Sequence, residues 1–241
     1  MNLNTTQGIY FMAMVRPGIF VATPAYGGLL YHGYFVSMMR LEKLCQARGI
    51  EVQYQVVANE SLIPRARNVL CEMFLDSQLS HMIFVDADIE FDPEGILRMY
   101  HENLPVLGAV YPKKNRRTDQ ISDHAVTLKE DTNIIHKGEP IAVRFIGTGM
   151  MMIRRDTLTK LIESGVPSYM ANHDMLGDEP RRYHCFFDTR LYQGVYLSED
   201  YDFCQKWTEA GGEIYAAFFV ECTHWGTHGF TSELLSASYK K

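Results

Sequence analysis

Apolar positions along the chain fall into two periods, and the change from one to the other marks out the elements. Gly18-Ile-Phe-Val-Ala22 is a strand-sized apolar run, and Thr23-Pro24-Ala25-Tyr26-Gly27-Gly28 after it reads as a turn. Phe35, Met38, Leu41 and Cys45 then share one helical stripe, with Gly49 placed to stop the helix. Val52 to Val57 alternates as a strand, and a second helix spans about Pro64 to Gln78 with Ala66, Val69, Leu70, Met73 and Phe74 inward. Met82-Ile-Phe-Val85 is apolar at every position, as expected of a strand covered on both faces. Asp92-Pro93 opens a short helix, with Asp as N-cap and Pro in the first turn, and Pro105 to Tyr111 is the next strand. The order β-α-β-α-β-α-β predicts a parallel sheet with right-handed crossovers.

The second half changes character. Residues 113–142 are polar, with Lys113, Lys114, Arg116 and Arg117 clustered, and read as a long loop with room for a hairpin. Val143 to Ile153 reads as one strand, followed by a helix capped by Asp156 and stopped near Gly165. Residues 166–196 are irregular. Ser198 caps a helix that ends at Gly211-Gly212, and Glu213 to Val220 is a last strand running into Cys222-Thr-His-Trp-Gly226. The fold class is α/β, with a mixed, mainly parallel sheet flanked by helices. After an extension over residues 1–17, residues 18–241 form one domain: 18–112 as one half, 113–230 as the other.

Composition removes several function classes. With 23 basic and 29 acidic side chains and a formal charge of -6, the chain lacks the basic surplus of a dedicated nucleic-acid binder. No segment approaches the roughly 20 apolar residues of a membrane span. Met1 to Pro17 has no basic region followed by an apolar stretch, so no signal peptide is expected. The 5 cysteines are odd in number and far apart with no CxxC, which argues for a reduced, cytoplasmic setting.

Asp86-Ala87-Asp88 carries the strongest chemical signal. It stands at the carboxyl end of the buried strand, where open α/β sheets bind ligands. In an extended segment both carboxylates face one side and can converge on a hard cation such as Mn²⁺ or Mg²⁺. The plainer reading is an acidic turn that caps the next helix. Tyr26, at the same sheet edge, can stack on a nucleobase or simply pack in a turn. Ser61-Leu-Ile-Pro-Arg65-Ala-Arg67-Asn68 opens a helix suited to a base or phosphate, or is a solvated basic turn. On an ideal helix Arg67 points elsewhere than Arg65 and Asn68. Glu199-Asp200 at a helix start are dipole partners or catalytic acids. His224 and His228 have half-zinc-site spacing, but no Cys pair completes one, so a single His224 joining Asp88 on a metal is the better reading.

In this order, Thr23-Pro-Ala-Tyr26, Pro64-Arg-Ala-Arg-Asn68, Phe84-Val-Asp-Ala-Asp-Ile-Glu-Phe-Asp-Pro93, Gly147-Thr-Gly149-Met-Met-Met-Ile-Arg-Arg155, Ser198-Glu-Asp-Tyr-Asp-Phe-Cys204 and His224-Trp-Gly226 resemble glycosyltransferases of the GT-A fold. The likeness spans about residues 18–230 and is nearest to small soluble bacterial and viral members with a DxD motif. It implies a nucleotide-sugar donor, most often a UDP-sugar, and Mn²⁺ or Mg²⁺. It places Thr23, Pro24, Tyr26, Arg65, Asn68, Asp86, Ala87 and Asp88 on the donor, with Asp86 toward ribose or sugar. Asp88 and His224 would bind metal, with Asp86 beside them. Gly147, Thr148 and Gly149 would face a glycan or other hydroxyl acceptor. Asp200 matches the base of inverting members, with Glu199 beside it. Similarity to retaining Anp-type mannosyltransferases leaves the stereochemistry open. The alternatives are a nucleotidyltransferase, whose Gly-rich basic loop is poorly matched by Tyr26-Gly27-Gly28, and a nucleotide-sugar or glycan-binding module without turnover.

Overall fold

The computed structural model describes residues 14–114, 123–132, 135–171 and 180–231. Arg116 and Arg117, residues 1–13 of the proposed extension, and parts of the 113–142 and 166–196 segments lie outside them. In chain order the elements are β1 (Arg16–Ala25), α1 (His32–Arg48), β2 (Val52–Ala58), α2 (Ile63–Ser77), β3 (Leu79–Val85), β4 (Ile89–Phe91), α3 (Pro93–Glu102) and β5 (Val106–Ala109). There follow β6 (Val126–Leu128), β7 (Ile141–Ile146), β8 (Met150–Arg154), α4 (Arg155–Glu163), β9 (Ser168–Ala171) and β10 (Arg181–His184). The last are β11 (Arg190–Tyr192), β12 (Val195–Leu197), α5 (Glu199–Glu209), β13 (Ile214–Ala217), β14 (Cys222–Trp225) and β15 (Gly229–Thr231).

One large sheet runs β2-β1-β3-β8-β5-β13-β7-β6. By their pairings β2, β1, β3, β5, β13 and β6 share a direction, and β8 and β7 oppose it. The sheet is mixed and mainly parallel, as the apolar runs predict. Alternate residues of each strand serve opposite faces. Phe20, Ala22, Met82 and Phe84 pack with α2, α4 and α5 on one side. Ile19, Val21, Ile83 and Val85 pack with α1 and α3 on the other. Asp92 accepts from the Glu94 amide with Pro93 after it, so that helix starts as read.

Several expectations need correcting. The 143–153 segment is two strands. β7 leaves beside β13, and after Gly147-Thr148-Gly149 the chain re-enters as β8 between β3 and β5. Close packing permits this, because a Cβ on Gly108 of β5 would lie 2.3 Å from the Ile146 side chain. β3 and β5 are therefore separated by an antiparallel strand. Next, β1 begins at Arg16 and continues through Thr23 and Pro24, so neither lies in a turn and the 1–17 boundary falls inside a strand. Finally, residues 166–196 hold two antiparallel pairs among the described residues, β9 with β10 and β11 with β12. Asp156 is not the cap of α4, whose N-cap is Arg154, and Ser198 at the start of α5 makes no side-chain capping bond.

Candidate active site

The sheet's carboxyl edge gathers the acidic groups through a second, smaller sheet. β14 pairs with β4 in the register Cys222–Phe91, Thr223–Glu90 and His224–Ile89. That pairing delivers His224, near the end of the chain, to the turn holding Asp86 to Asp88. The Trp225 amide donates to the Asp88 carbonyl at 2.8 Å and fixes the approach. His224 Nε2 stands 3.6 Å from Asp88 Oδ1. Its Nδ1 lies 2.9 Å from the Pro112 carbonyl, which can only accept, so Nδ1 carries a proton and Nε2 is the nitrogen turned toward Asp88. Lys114 Nζ donates to Asp88 Oδ2 at 2.5 Å. Burial raises the Asp88 pKa, but His224 and Lys114 outweigh it and hold the carboxyl below its usual range.

Asp86 does not join Asp88 on a shared point. The Ile89 amide donates to the Asp86 carbonyl at 3.0 Å, so the triplet is a turn and the same-face rule for extended chain does not apply. Both Asp86 carboxylate oxygens instead accept from Arg67 Nη2, at 3.1 and 3.3 Å. Arg67 is only 3% exposed, lies over the Phe84 ring, and reaches Glu199 at 3.5 Å through Nε. Arg67 does point away from Arg65, but it is Arg67 and not Arg65 that meets the acidic triplet. Arg67, Leu70, Cys71 and Phe74 form an i, i+3, i+4, i+7 stripe, and that spacing was the available signal. Arg65 faces outward to Glu60, donating from Nη2 at 2.8 Å. Asn68 is committed to the main chain of Phe187, donating to its carbonyl and accepting from its amide, both at 2.9 Å. Its placement on the donor is therefore corrected to a core clamp.

Glu199 and Asp200 open α5 opposite the triplet. Burial pushes the Glu199 carboxyl up, Arg67 pulls it back, and Asp200 adds to the rise. Asp200 Oδ1 accepts from the Tyr201 amide at 2.9 Å and from the Ser198 hydroxyl. Tyr111 links the two groups. It is buried, its ring stands edge-on to His224 at 5.4 Å, and burial with the charges of Asp86 and Asp200 holds its phenol protonated.

The Gly147-Thr148-Gly149 segment wraps Tyr111, and the Gly149 amide donates to its hydroxyl at 2.9 Å. A Cβ on Gly147 would lie 2.4 Å from the Tyr111 hydroxyl, and one on Gly149 would lie 2.6 Å from its ring. These glycines therefore admit Tyr111, which no sequence pattern signalled. Gly149→Ala should displace the ring and cost about 1–3 kcal/mol, the usual range for overpacking. A melting temperature lowered by roughly 2–4 °C per kcal/mol is the check.

On the remaining donor candidates the structure is divided. Thr23 is fully buried with its Oγ1 2.7 Å from the Tyr34 hydroxyl, so it faces the core and its donor role is corrected. Pro24 is buried at the strand end. Tyr26 is 69% exposed on a short 3-10 turn. The Ala87 carbonyl accepts from the Tyr31 amide at 2.9 Å and ties that loop to the acidic triplet. His228 lies 3.2 Å from the Thr227 hydroxyl through Nδ1, and its ring is tilted against that of Phe230.

A buried Arg67 between two carboxylates should be costly to truncate. Removing one partner of a buried ion pair typically destabilises by about 3–5 kcal/mol. Arg67→Met should therefore lower the urea midpoint far more than Arg65→Met, whose guanidinium is half exposed. Equal midpoints would contradict the packing described.

Among the described residues no three His, Cys, Asp or Glu side chains gather into a closed metal cage. The Asp88–His224 pair, with its tautomer fixed from behind, has the donor chemistry of an open site that a ligand's oxygens complete. Asp86, neutralised by Arg67, does not fit as a second ligand.

No family model matches the chain, and no curated protein matches it. Among solved structures, A197 from STIV aligns at 15% identity over 93% of this chain and 94% of its own, with a TM-score of 0.53. S. aureus TarS 1-349 in complex with UDP-GlcNAc aligns at 12% identity, over 83% and 55%, with a TM-score of 0.44. The inositol-1-phosphate CTP transferase from T. maritima gives 16%, 88%, 89% and 0.43 in the same order. The chain thus shares the α/β fold of A197: a large, mainly parallel sheet flanked by helices.

Proposed function

We propose that this chain is a metal-dependent glycosyltransferase of GT-A type, moving a sugar from a nucleotide-sugar donor, UDP leading, to a hydroxyl of a glycan or other acceptor. The observation that carries this reading is the Asp88–His224 pair at a turn whose Asp86 is joined through Arg67 to Glu199 at the start of α5. Breaking a sugar–diphosphate bond builds oxocarbenium character on the sugar and negative charge on the leaving diphosphate. A divalent cation held by Asp88 and His224 would neutralise that charge without a proton donor. Asp200, with Oδ1 oriented by Ser198 and Tyr201, accepts the proton of the attacking hydroxyl. Arg67 holds both Asp86 carboxylate oxygens in position beside the donor. Tyr26, exposed at the mouth, offers its ring to the base.

No helix among the described residues is long and apolar enough to cross a membrane. Hydrolysis of UDP-, GDP-, CMP- and dTDP-sugars, with Mn²⁺ and with EDTA, tests the proposal. Metal-dependent release of free sugar from one donor supports it. Pyrophosphate release from a nucleoside triphosphate and a sugar phosphate would instead support the nucleotidyltransferase alternative. Binding without any turnover would support a non-catalytic module.

A further inference from the structure

Lys114, from the basic cluster of the 113–142 segment, is the cation that pairs with Asp88. Its Nζ holds Asp88 Oδ2, while His224 faces Oδ1 of the same carboxylate. Its stem lies along Gly226, where an added Cβ would stand 3.2 Å from Lys114 Cδ. The glycine of His-Trp-Gly thus leaves the room that brings the ammonium onto Asp88. Lysine is a point charge on a long flexible stem, able to swing between two nearby anions, whereas arginine would lock into a fork. Asp88 already has one oxygen occupied, so an entering divalent cation meets a competitor for the carboxylate.

We propose that Lys114 is an exchangeable counter-ion: it neutralises Asp88 in the free protein and passes to the donor's diphosphate when a divalent cation takes Asp88. The exchange rests on the reading of Asp88 and His224 as metal ligands. It couples the two arrivals. Metal alone must break the Lys114–Asp88 bond and strand an ammonium. Metal with a diphosphate gives the ammonium a new anion to hold. Diphosphate therefore strengthens metal binding beyond the contacts that the two ligands make with each other. No covalent step is involved, and only ion-pair partners change.

The test is Mn²⁺ binding to the whole protein, followed by the spectroscopic signal of free Mn²⁺, with and without UDP. Lys114→Met should bind Mn²⁺ alone more tightly than the parent, by roughly tenfold, the equivalent of one charge-assisted contact removed from the competing state. The same variant should bind UDP in the presence of Mn²⁺ more weakly by a similar factor. Opposite signs in the two measurements are the signature, since general damage to the site weakens both. Lys114→Arg should restore UDP binding in part. Equal Mn²⁺ affinity in parent and Lys114→Met, with the metal bound, overturns the exchange and leaves the metal site standing. No Mn²⁺ binding to either protein, with or without UDP, overturns both.

Discussion

Asp88→Ala should abolish turnover while leaving the protein folded. Asp88 faces His224 and Lys114 and is the carboxylate of the pair proposed to hold the metal. Charge neutralisation by a catalytic metal contributes several kcal/mol in the transition state, so its loss should cost about 10³-fold or more in kcat/KM. UDP-sugar binding should weaken with it. The fold should survive because the Asp88 main chain, not its carboxylate, holds β14 in place through the Trp225 amide. Circular dichroism and melting temperature check that half of the result. His224→Ala removes one ligand that water can replace, and a smaller loss of about 10–100-fold is expected. A variant lacking Asp88 that binds UDP-sugar like the parent, and turns over with EDTA present, would exclude the metal reading.

The two carboxylates of the triplet illustrate what a sequence can and cannot convey here. That an acidic site lies after Val85 follows from a fully apolar run, whose burial on both faces puts its end at the sheet edge. Helix positions, too, were legible from stripes: Met38, Leu41 and Cys45 of α1 are buried as read, although Tyr34, and not the exposed Phe35, completes the stripe. Partnership was not. Whether Asp86 meets a metal or a guanidinium depends on a three-residue turn and on the rotation of α2 about its axis. Local propensity fixes that rotation only to within the width of the apolar stripe. Arg67 and Arg65 lie two positions and so roughly 200° apart on the helix, and the apolar stripe turns only Arg67 inward, without saying which group it meets there. His224 and Lys114 reach Asp88 from far along the chain, through a strand pairing and a glycine contact with no sequence period. The break of residues 143–153 into two strands was hidden for the same reason. Its glycines serve Tyr111, a contact across 38 residues that only the packed structure reveals.

Asp200→Asn should cut kcat by about 10²–10⁴-fold, the usual loss when a positioned base is removed, with donor affinity nearly unchanged. The amide keeps the shape of the carboxylate and one hydrogen-bond acceptor for the Tyr201 amide, so the start of α5 should stay intact. It lacks the basicity to take the acceptor proton. Glu199 is the rival, and its surroundings differ in a measurable way. Its carboxyl is pushed above the ordinary glutamate range by burial, and Arg67 engages it from below. A base with a raised pKa becomes active only as pH rises through that value. If Glu199 were the base, the acidic limb of kcat/KM would therefore lie above the usual glutamate range and vanish in Glu199→Gln. With Asp200 as base, Glu199→Gln should retain most of kcat. An Asp200→Asn variant with parental kcat, or a product that keeps the donor's anomeric configuration, would take Asp200 out of the role. Retention would leave it an orienting contact for the acceptor, and Asp86, beside the donor and held by Arg67, would become the carboxylate to replace next.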